Sequence, residues 1–198
     1  MKISNINQQV KRSDRYSIFI NGKYSFALSE SELLDQGLKV GQELSKAELE
    51  SLKDSARLDK GIYRVMELIS RRPRSAWEIR DYLKRKKYDA QEADKILNTL
   101  SNKGYINDKD FAKRWVESRR LLKPTSKRKL RLELKQKGVA GEVINEVLEH
   151  DETDERQILA DLIAKKRGQT RYRDEQKLVA YLLRQGFNYS DIKIALSK

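Results

Sequence analysis

One set of six apolar residues occurs three times in the last 120 or so positions of this chain, roughly two repeat lengths apart from first to last. Ile79, Leu83, Tyr88, Ala93, Ile96 and Leu97 lie over Leu130, Leu134, Val139, Ile144, Val147 and Leu148 at an offset of 51 throughout. Leu178, Leu182, Phe187, Ile192, Ala195 and Leu196 follow at a constant offset of 48. Within each copy the spacing is helical. An amphipathic stretch ending in basic residues precedes each copy, over residues 63–72, 111–120 and 157–167. Each unit therefore reads as three helices, and the whole as nine helices in three tandem units. Stacked units of this kind make an elongated, curved rod with a long exposed surface, whereas chance matching would leave an ordinary nine-helix bundle.

Local signals agree with the division. Ser75-Ala76-Trp77-Glu78 is a capping box and Asp89-Ala90-Gln91-Glu92 its aspartate-led relative. Ser126 is a candidate N-cap after Pro124, and Gly104, Gly138 and Gly186 stand where left-handed C-caps belong. The first 28 residues differ in kind. Residues 16–20 and 23–28 are aromatic-rich runs joined by Asn21-Gly22, a strong signal for a two-residue hairpin, and residues 2–10 add a third strand. So small a sheet needs a cover, which short helices over residues 31–34 and 45–52 would supply. The fold class is mainly α, with three tandem three-helix units and a small α+β N-terminal module containing a β-hairpin. The expected domains are residues 1–55, 56–106, 107–150 and 151–198.

Composition narrows the chemistry. The chain lacks cysteine and has one histidine, His150, so thiolate nucleophiles, disulfides and multi-histidine metal sites are excluded within it. Gly22-Lys23 is the one Gly-Lys pair and has no phosphate-loop spacing. Acidic residues gather around His150 over residues 149–155, and consecutive carboxylates in a linker read as solvated charge rather than as a metal-dependent nuclease site. No cofactor and no metal are expected. The start carries no signal-peptide pattern and no 18-residue apolar run exists, so a cytoplasmic protein without a membrane partner is expected.

The net charge of +13 is unevenly placed. Residues 1–55 hold eight basic and eight acidic residues, while residues 71–137 hold 22 against nine. Lys113, Arg114, Arg119, Arg120, Lys123, Lys127, Arg128, Lys129, Arg131, Lys135 and Lys137 face only Glu117 and Glu133. Such a surplus marks an anionic partner, nucleic acid or an acidic protein groove. Arg80 and Lys84 are spaced i,i+4 and share a helix face, so they can follow a phosphate backbone together. Tyr88, Phe111 and Phe187 read as core. Trp77 and Trp115 have basic neighbours and could either fill a seam or stack a base.

Three stretches in order also carry a resemblance: residues 74–83 (Arg-Ser-Ala-Trp-Glu-Ile-Arg-Asp-Tyr-Leu), residues 104–112 (Gly-Tyr-Ile-Asn-Asp-Lys-Asp-Phe-Ala) and residues 130–139 (Leu-Arg-Leu-Glu-Leu-Lys-Gln-Lys-Gly-Val). Residues 57–198 resemble the RecX family, and the Asn21-Gly22 hairpin followed by Leu28-Ser29-Glu30 is similar to the extension of its longer members. The chain departs from the family at Lys123-Pro124-Thr125-Ser126, where a glycine-containing turn is more usual, and at Tyr189-Ser190-Asp191. The resemblance implies a non-enzymatic regulator of the RecA recombinase, in the setting of recombination, DNA repair and the SOS response. Such a regulator lodges in the groove of the RecA–single-stranded DNA filament and suppresses strand exchange, ATP hydrolysis and co-protease activity. Its expected partners are that filament and DNA, single-stranded or duplex, bound non-specifically by a monomer. The candidate anion-facing residues are Arg71, Arg72, Arg74, Arg80, Lys84, Arg119, Arg120, Lys127, Arg128 and Arg131. The alternative is a stand-alone DNA-binding module of helix-turn-helix type, with one helix in a major groove and a preference for sequence.

Overall fold

The computed structural model describes residues 1–197. Strands β1 (Ile3–Gln9), β2 (Arg12–Ile20) and β3 (Lys23–Ser29) form an antiparallel sheet in that order. Asn21 and Gly22 sit at φ 48° and 80°, which is the pair of left-handed positions a type I′ turn requires. Alternation along the strands then buries Ile3, Ile18, Ile20, Phe26 and Leu28 on one face. Helix α1 (Glu30–Asp35) starts at Ser29, whose side chain accepts the Glu32 N–H. It covers less than expected, because Leu33 packs on the sheet while Leu34 is exposed. Leu38 and Leu44, from the loop that follows, complete that core.

The main departure from expectation is α2, which runs unbroken from Lys46–Arg71. The sequence suggests two separate helical stretches there, over residues 45–52 and 63–72. Between them no proline interrupts the ladder, and the single Gly61 costs about 1 kcal/mol, too little to stop a helix buried at both ends. Leu49, Leu52 and Ala56 belong to the sheet core. Gly61 and Val65, further along, are buried where α2 packs on α4. Residues 55 and 56 thus lie within one helix. A Ser45–Glu48 capping box fixes its start.

The described chain forms two compact units: Met1–Pro73 with Ile79–Tyr105, and Arg74–Glu78 with residues 106 onward. The first contains the sheet, α2, most of α3 (Ala76–Arg85) and α4 (Ala90–Asn102), the last started by the Asp89 capping box. The second contains α5 (Asp108–Leu122), α6 (Lys127–Gln136) and α7 (Gly141–Glu149), then α8 (Glu155–Arg167), a 3₁₀ turn (Thr170–Tyr172), α9 (Glu175–Arg184) and α10 (Tyr189–Leu196). Sixteen of the eighteen repeat positions named above are buried, and Ala195 and Leu196 are half-buried against the same cluster. Among the described residues no helix is long and apolar enough to cross a membrane.

Unit 2 contains two joints of one design. Ser75 Oγ donates to the Lys137 carbonyl at 2.6 Å, and Lys137 Nζ reaches Glu78 Oε1 at 3.0 Å. At the corresponding places one copy later, Thr125 Oγ1 and the Ser126 N–H donate to the Gln185 carbonyl at 2.7 and 3.1 Å. Lys129 Nζ donates to Gln185 Oε1 at 2.9 Å. In each case the turn that ends one middle helix sits on the capped start of another. The approach is so close that a Cβ on Gly138 would strike Trp77, and one on Gly186 would strike Ser126 Oγ and come within 2.9 Å of Lys129 Cβ. Both glycines also have positive φ, 72° and 89°.

Candidate anion-binding surface

On α6 the i,i+3,i+4 spacing divides the side chains by face. Leu130 and Leu134 turn inward and are fully buried, so Arg128, Arg131, Leu132 and Lys135 face outward. The joint at Gly186 brings Leu183 and Arg184 of α9 beside them, and the result is an open hollow of about 400 Å³. Arg128, Lys129, Arg131, Lys135 and Arg184 line it together with Leu132 and Leu183, and no carboxylate does. Leu132 and Leu183 are 55% and 45% exposed, which gives a cationic surface an apolar floor. Lys129 is held by Gln185 and Arg131 by Asn145 Oδ1, whereas Arg128 and Lys135 have no ion-pair partner among the described residues. This arrangement can hold an acidic protein strip or a phosphate backbone; it offers no nucleophile. Among the described residues no group of three or more His, Cys, Asp or Glu side chains could hold a metal ion.

The ten residues singled out in the sequence fall into different environments. In unit 1, Arg71 ends α2 in an exposed pair with Glu67 at 3.1 Å, and Arg72 follows it. Arg80 pairs with Asp94 across α3 and α4, both about half exposed, while Lys84 is exposed without an ion-pair partner among the described residues. In unit 2, Arg74 is half-buried beside Glu78 at 3.7 Å. Arg119 pairs with Glu133 at 2.7 Å and lies over the Trp115 ring at 4.6 Å. Arg120 is almost wholly interior: its guanidinium donates to Asp151 Oδ2 at 3.1 and 2.5 Å and to the Thr125 carbonyl. Lys127 is half-buried, with Nζ on the Asp151 carbonyl at 2.6 Å. Only Arg128 and Arg131 of the ten share the α6 hollow.

The acidic stretch after α7 thereby gains a structural task. Burial pushes the Asp151 carboxyl up, but hydrogen bonds from Arg120 and Thr153 outweigh it and hold the group below the ordinary aspartate value. Trp115 fills a seam: its ring meets Phe111 at 5.8 Å and its Nε1 donates to Glu133 Oε2 at 2.9 Å. Trp77 stays half exposed while abutting Gly138. Residues Leu132, Leu183 and Arg184 escaped sequence reasoning. Their one signal is the repeat offset itself, since a joint that seats Gly186 on Ser126 must also bring the end of α9 beside α6.

With this geometry in hand, comparison with known proteins is decisive. The model of the RecX N-terminal domain matches residues 1–45, that of the first RecX three-helix domain residues 64–100, and that of the second residues 107–148. The regulatory protein RecX of Listeria monocytogenes serotype 4a (strain HCC23) is 34% identical over 206 residues, spanning 100% of this chain and 76% of the relative. The chain belongs to the RecX family of regulatory proteins. A further RecX relative, from Bacillus pumilus (strain SAFR-032), is 29% identical over 201 residues, covering 99% of this chain and 76% of its own length. A crystal structure of regulatory protein RecX superposes with TM-score 0.76 at 28% identity, covering 100% of this chain and 99% of that one. The crystal structure of RecX from Lactobacillus salivarius, at 22% identity and TM-score 0.61, covers 74% of this chain and 96% of its own and shares the fold. The RecX models divide the chain into an N-terminal part and three-helix parts, in line with the sheet and the repeated cores seen here.

Proposed function

We propose that this chain regulates the RecA recombinase as a non-enzymatic binder of the RecA–single-stranded DNA filament, suppressing strand exchange, ATP hydrolysis and co-protease activity. The observation that carries this reading is the carboxylate-free hollow of Arg128, Arg131, Lys135 and Arg184 on a repeated helical scaffold of the RecX family. Repetition suits a polymeric target, because each further unit engaged turns the next contact into an intramolecular one. The contact residues divide by environment. Exposed ion pairs such as Arg71–Glu67 and Arg80–Asp94 are worth about 0–1 kcal/mol and exchange readily for a filament carboxylate or a phosphate. With Arg72, Lys84, Arg128 and Arg131 they form the contact set. Arg74, Arg119, Arg120 and Lys127 are engaged inside the chain and shape that surface rather than touch the partner. The protein acts as a monomer in the cytoplasm, and its strongly cationic surface opposes self-association.

The test is the single-stranded-DNA-dependent ATPase of RecA, with DNA in large excess, against increasing amounts of the chain. Inhibition is expected well below one chain per RecA. The Arg128→Glu/Arg131→Glu/Lys135→Glu triple variant should lose it while keeping the helical circular dichroism of the parent. Full inhibition by that variant would remove the α6 hollow from the contact set. Absence of inhibition by the parent, with tight sequence-selective duplex binding and a steep salt dependence, would replace the filament reading by a helix-turn-helix DNA-binding module.

A further inference from the structure

Unit 1 holds a cationic hollow of its own, of about 680 Å³, which the sequence hides. Residues 1–55 are electrically neutral by count, yet the fold sorts their charges. The hollow is lined from the β1–β2 turn, β2, β3, α2 and the turn after α3, and its lining includes Lys11, Arg12, Arg15, Lys60, Arg64 and Lys86 but no Asp or Glu. Two further cations there are already paired, Lys53 with Glu50 and Arg57 with Glu92. Lys11, Arg12, Lys60, Arg64 and Lys86 have no carboxylate partner among the described residues.

Arg15 lies beneath the hollow. It is 3% exposed, and its Nη2 donates to the Ala27 carbonyl at 3.2 Å and meets Asp59 at 3.0 Å. Its Nη1 is buried without a hydrogen-bond partner among the described residues. With almost no accessible surface, and with Asp59 and the Tyr63 ring at 5.3 Å against it, this guanidinium lends its charge to the hollow from beneath rather than meeting a ligand itself. Burial and the neighbouring charges of Arg64, Arg15, Arg12 and Arg57 together hold the Lys60 ammonium below the ordinary lysine value. The like charges are therefore close enough to repel, and an anion in the hollow relieves that repulsion.

The lining also chooses among anions. Tyr24 belongs to it and, although its ring meets Phe19 edge-on at 6.0 Å, is 60% exposed and open to a ligand. The space far exceeds one phosphate group, and unpaired cations are distributed along it from the β1–β2 turn to α2. A row of cations with an aromatic platform is the arrangement that holds an unpaired strand, since the base must be free to stack. We propose that this hollow binds the phosphodiester backbone of a single-stranded nucleic acid, with Lys11, Lys60 and Arg64 on phosphates and Tyr24 against a base. The site stands whether or not RecA is the partner of the α6 hollow.

The test is fluorescence anisotropy of a labelled oligothymidylate with the full chain over a salt series. The Lys11→Glu/Lys60→Glu variant, altered at two exposed positions, should bind more weakly, and the slope of log affinity against log salt should shrink by about 1.4, or about 0.7 for each lost contact to a single strand. Tyr24→Ala should weaken binding about ten-fold with little change of slope. Arg128→Glu/Lys135→Glu serves as the control for the other hollow, so loss of filament inhibition in that variant alone leaves this proposal standing. Affinity and slope equal to the parent in both Lys11→Glu/Lys60→Glu and Tyr24→Ala would overturn it. Thermal stabilisation by inorganic phosphate that those variants abolish, with oligothymidylate binding untouched, would overturn it as well and leave a small-anion site.

Discussion

The turn at Lys86-Lys87 and the turns at Lys137-Gly138 and Gln185-Gly186 occupy the same place in successive copies, and all three use a left-handed residue. Lys87 has φ 65° against 72° at Gly138 and 89° at Gly186. The first is built from lysine because its surroundings are open: Lys87 is exposed, and its carbonyl accepts from Arg57 Nη2 at 2.5 Å. The other two are glycine because another helix start presses against them. The difference teaches that a left-handed cap in open surroundings tolerates a side chain at a cost of about 1–2 kcal/mol, and that close approach adds a steric bar to the one the backbone angle sets.

That comparison can be broken first at the brace behind the second joint. Asp151→Ala leaves the Arg120 guanidinium a buried charge with only the Thr125 carbonyl to accept from it, and a loss of about 3–5 kcal/mol is expected in urea unfolding. The same pair fixes an acid limit. The Asp151 carboxyl titrates lower when folded than its unfolded value of about 3.9, so its contribution is complete above that pH and disappears as the pH falls through the folded value. The gap in midpoint between the parent and Asp151→Ala should hold from pH 7 down to about 3.9 and narrow only below it. Next in size, Gly138→Ala combines left-handed strain with a clash against Trp77 and should cost about 2–4 kcal/mol. Gly186→Ala meets Lys129 and the Ser126 hydroxyl, which can turn aside only by giving up its cap on the Lys129 N–H, and should cost about 1–3 kcal/mol. Lys87→Gly should change stability by no more than about 0.5 kcal/mol, since relief of backbone strain is offset by a freer unfolded chain. A large loss there would show that the first turn is also a seat.

The sequence makes the repeated cores, the hairpin and the caps legible because each rests on a local rule: period, Asn-Gly, or a short polar side chain three residues before its partner. Leu130 and Leu134 can be placed inward from spacing alone. The continuity of α2 is less visible, for Gly61 looks like punctuation until the two cores that flank it are known. The candidate surface is read in part. Arg128 and Arg131 are found by counting charge, but counting cannot separate them from Arg120, which differs only in where α5 and the residue-151 carboxylate bring it. Arg184 and Leu183 join the hollow through a joint linking residues some sixty positions apart. The hollow at Arg15 is invisible to segment charge, because its carboxylates are present in the sequence and absent only from its lining.

The length of α2 determines how unit 1 comes apart. Leu49, Leu52 and Ala56 hold it to the sheet, and Gly61 and Val65 lie buried where it meets α4. A helix propagates far more easily than it nucleates, so neither end can fray into its own core without weakening the ladder that serves the other. Amide protons of β2 and α4, distant in sequence and different in structure, should therefore exchange with solvent through one shared opening event. A truncation at residue 55 would cut that common element in two and take Ala56, with the rest of the helix that carries it, from the sheet core.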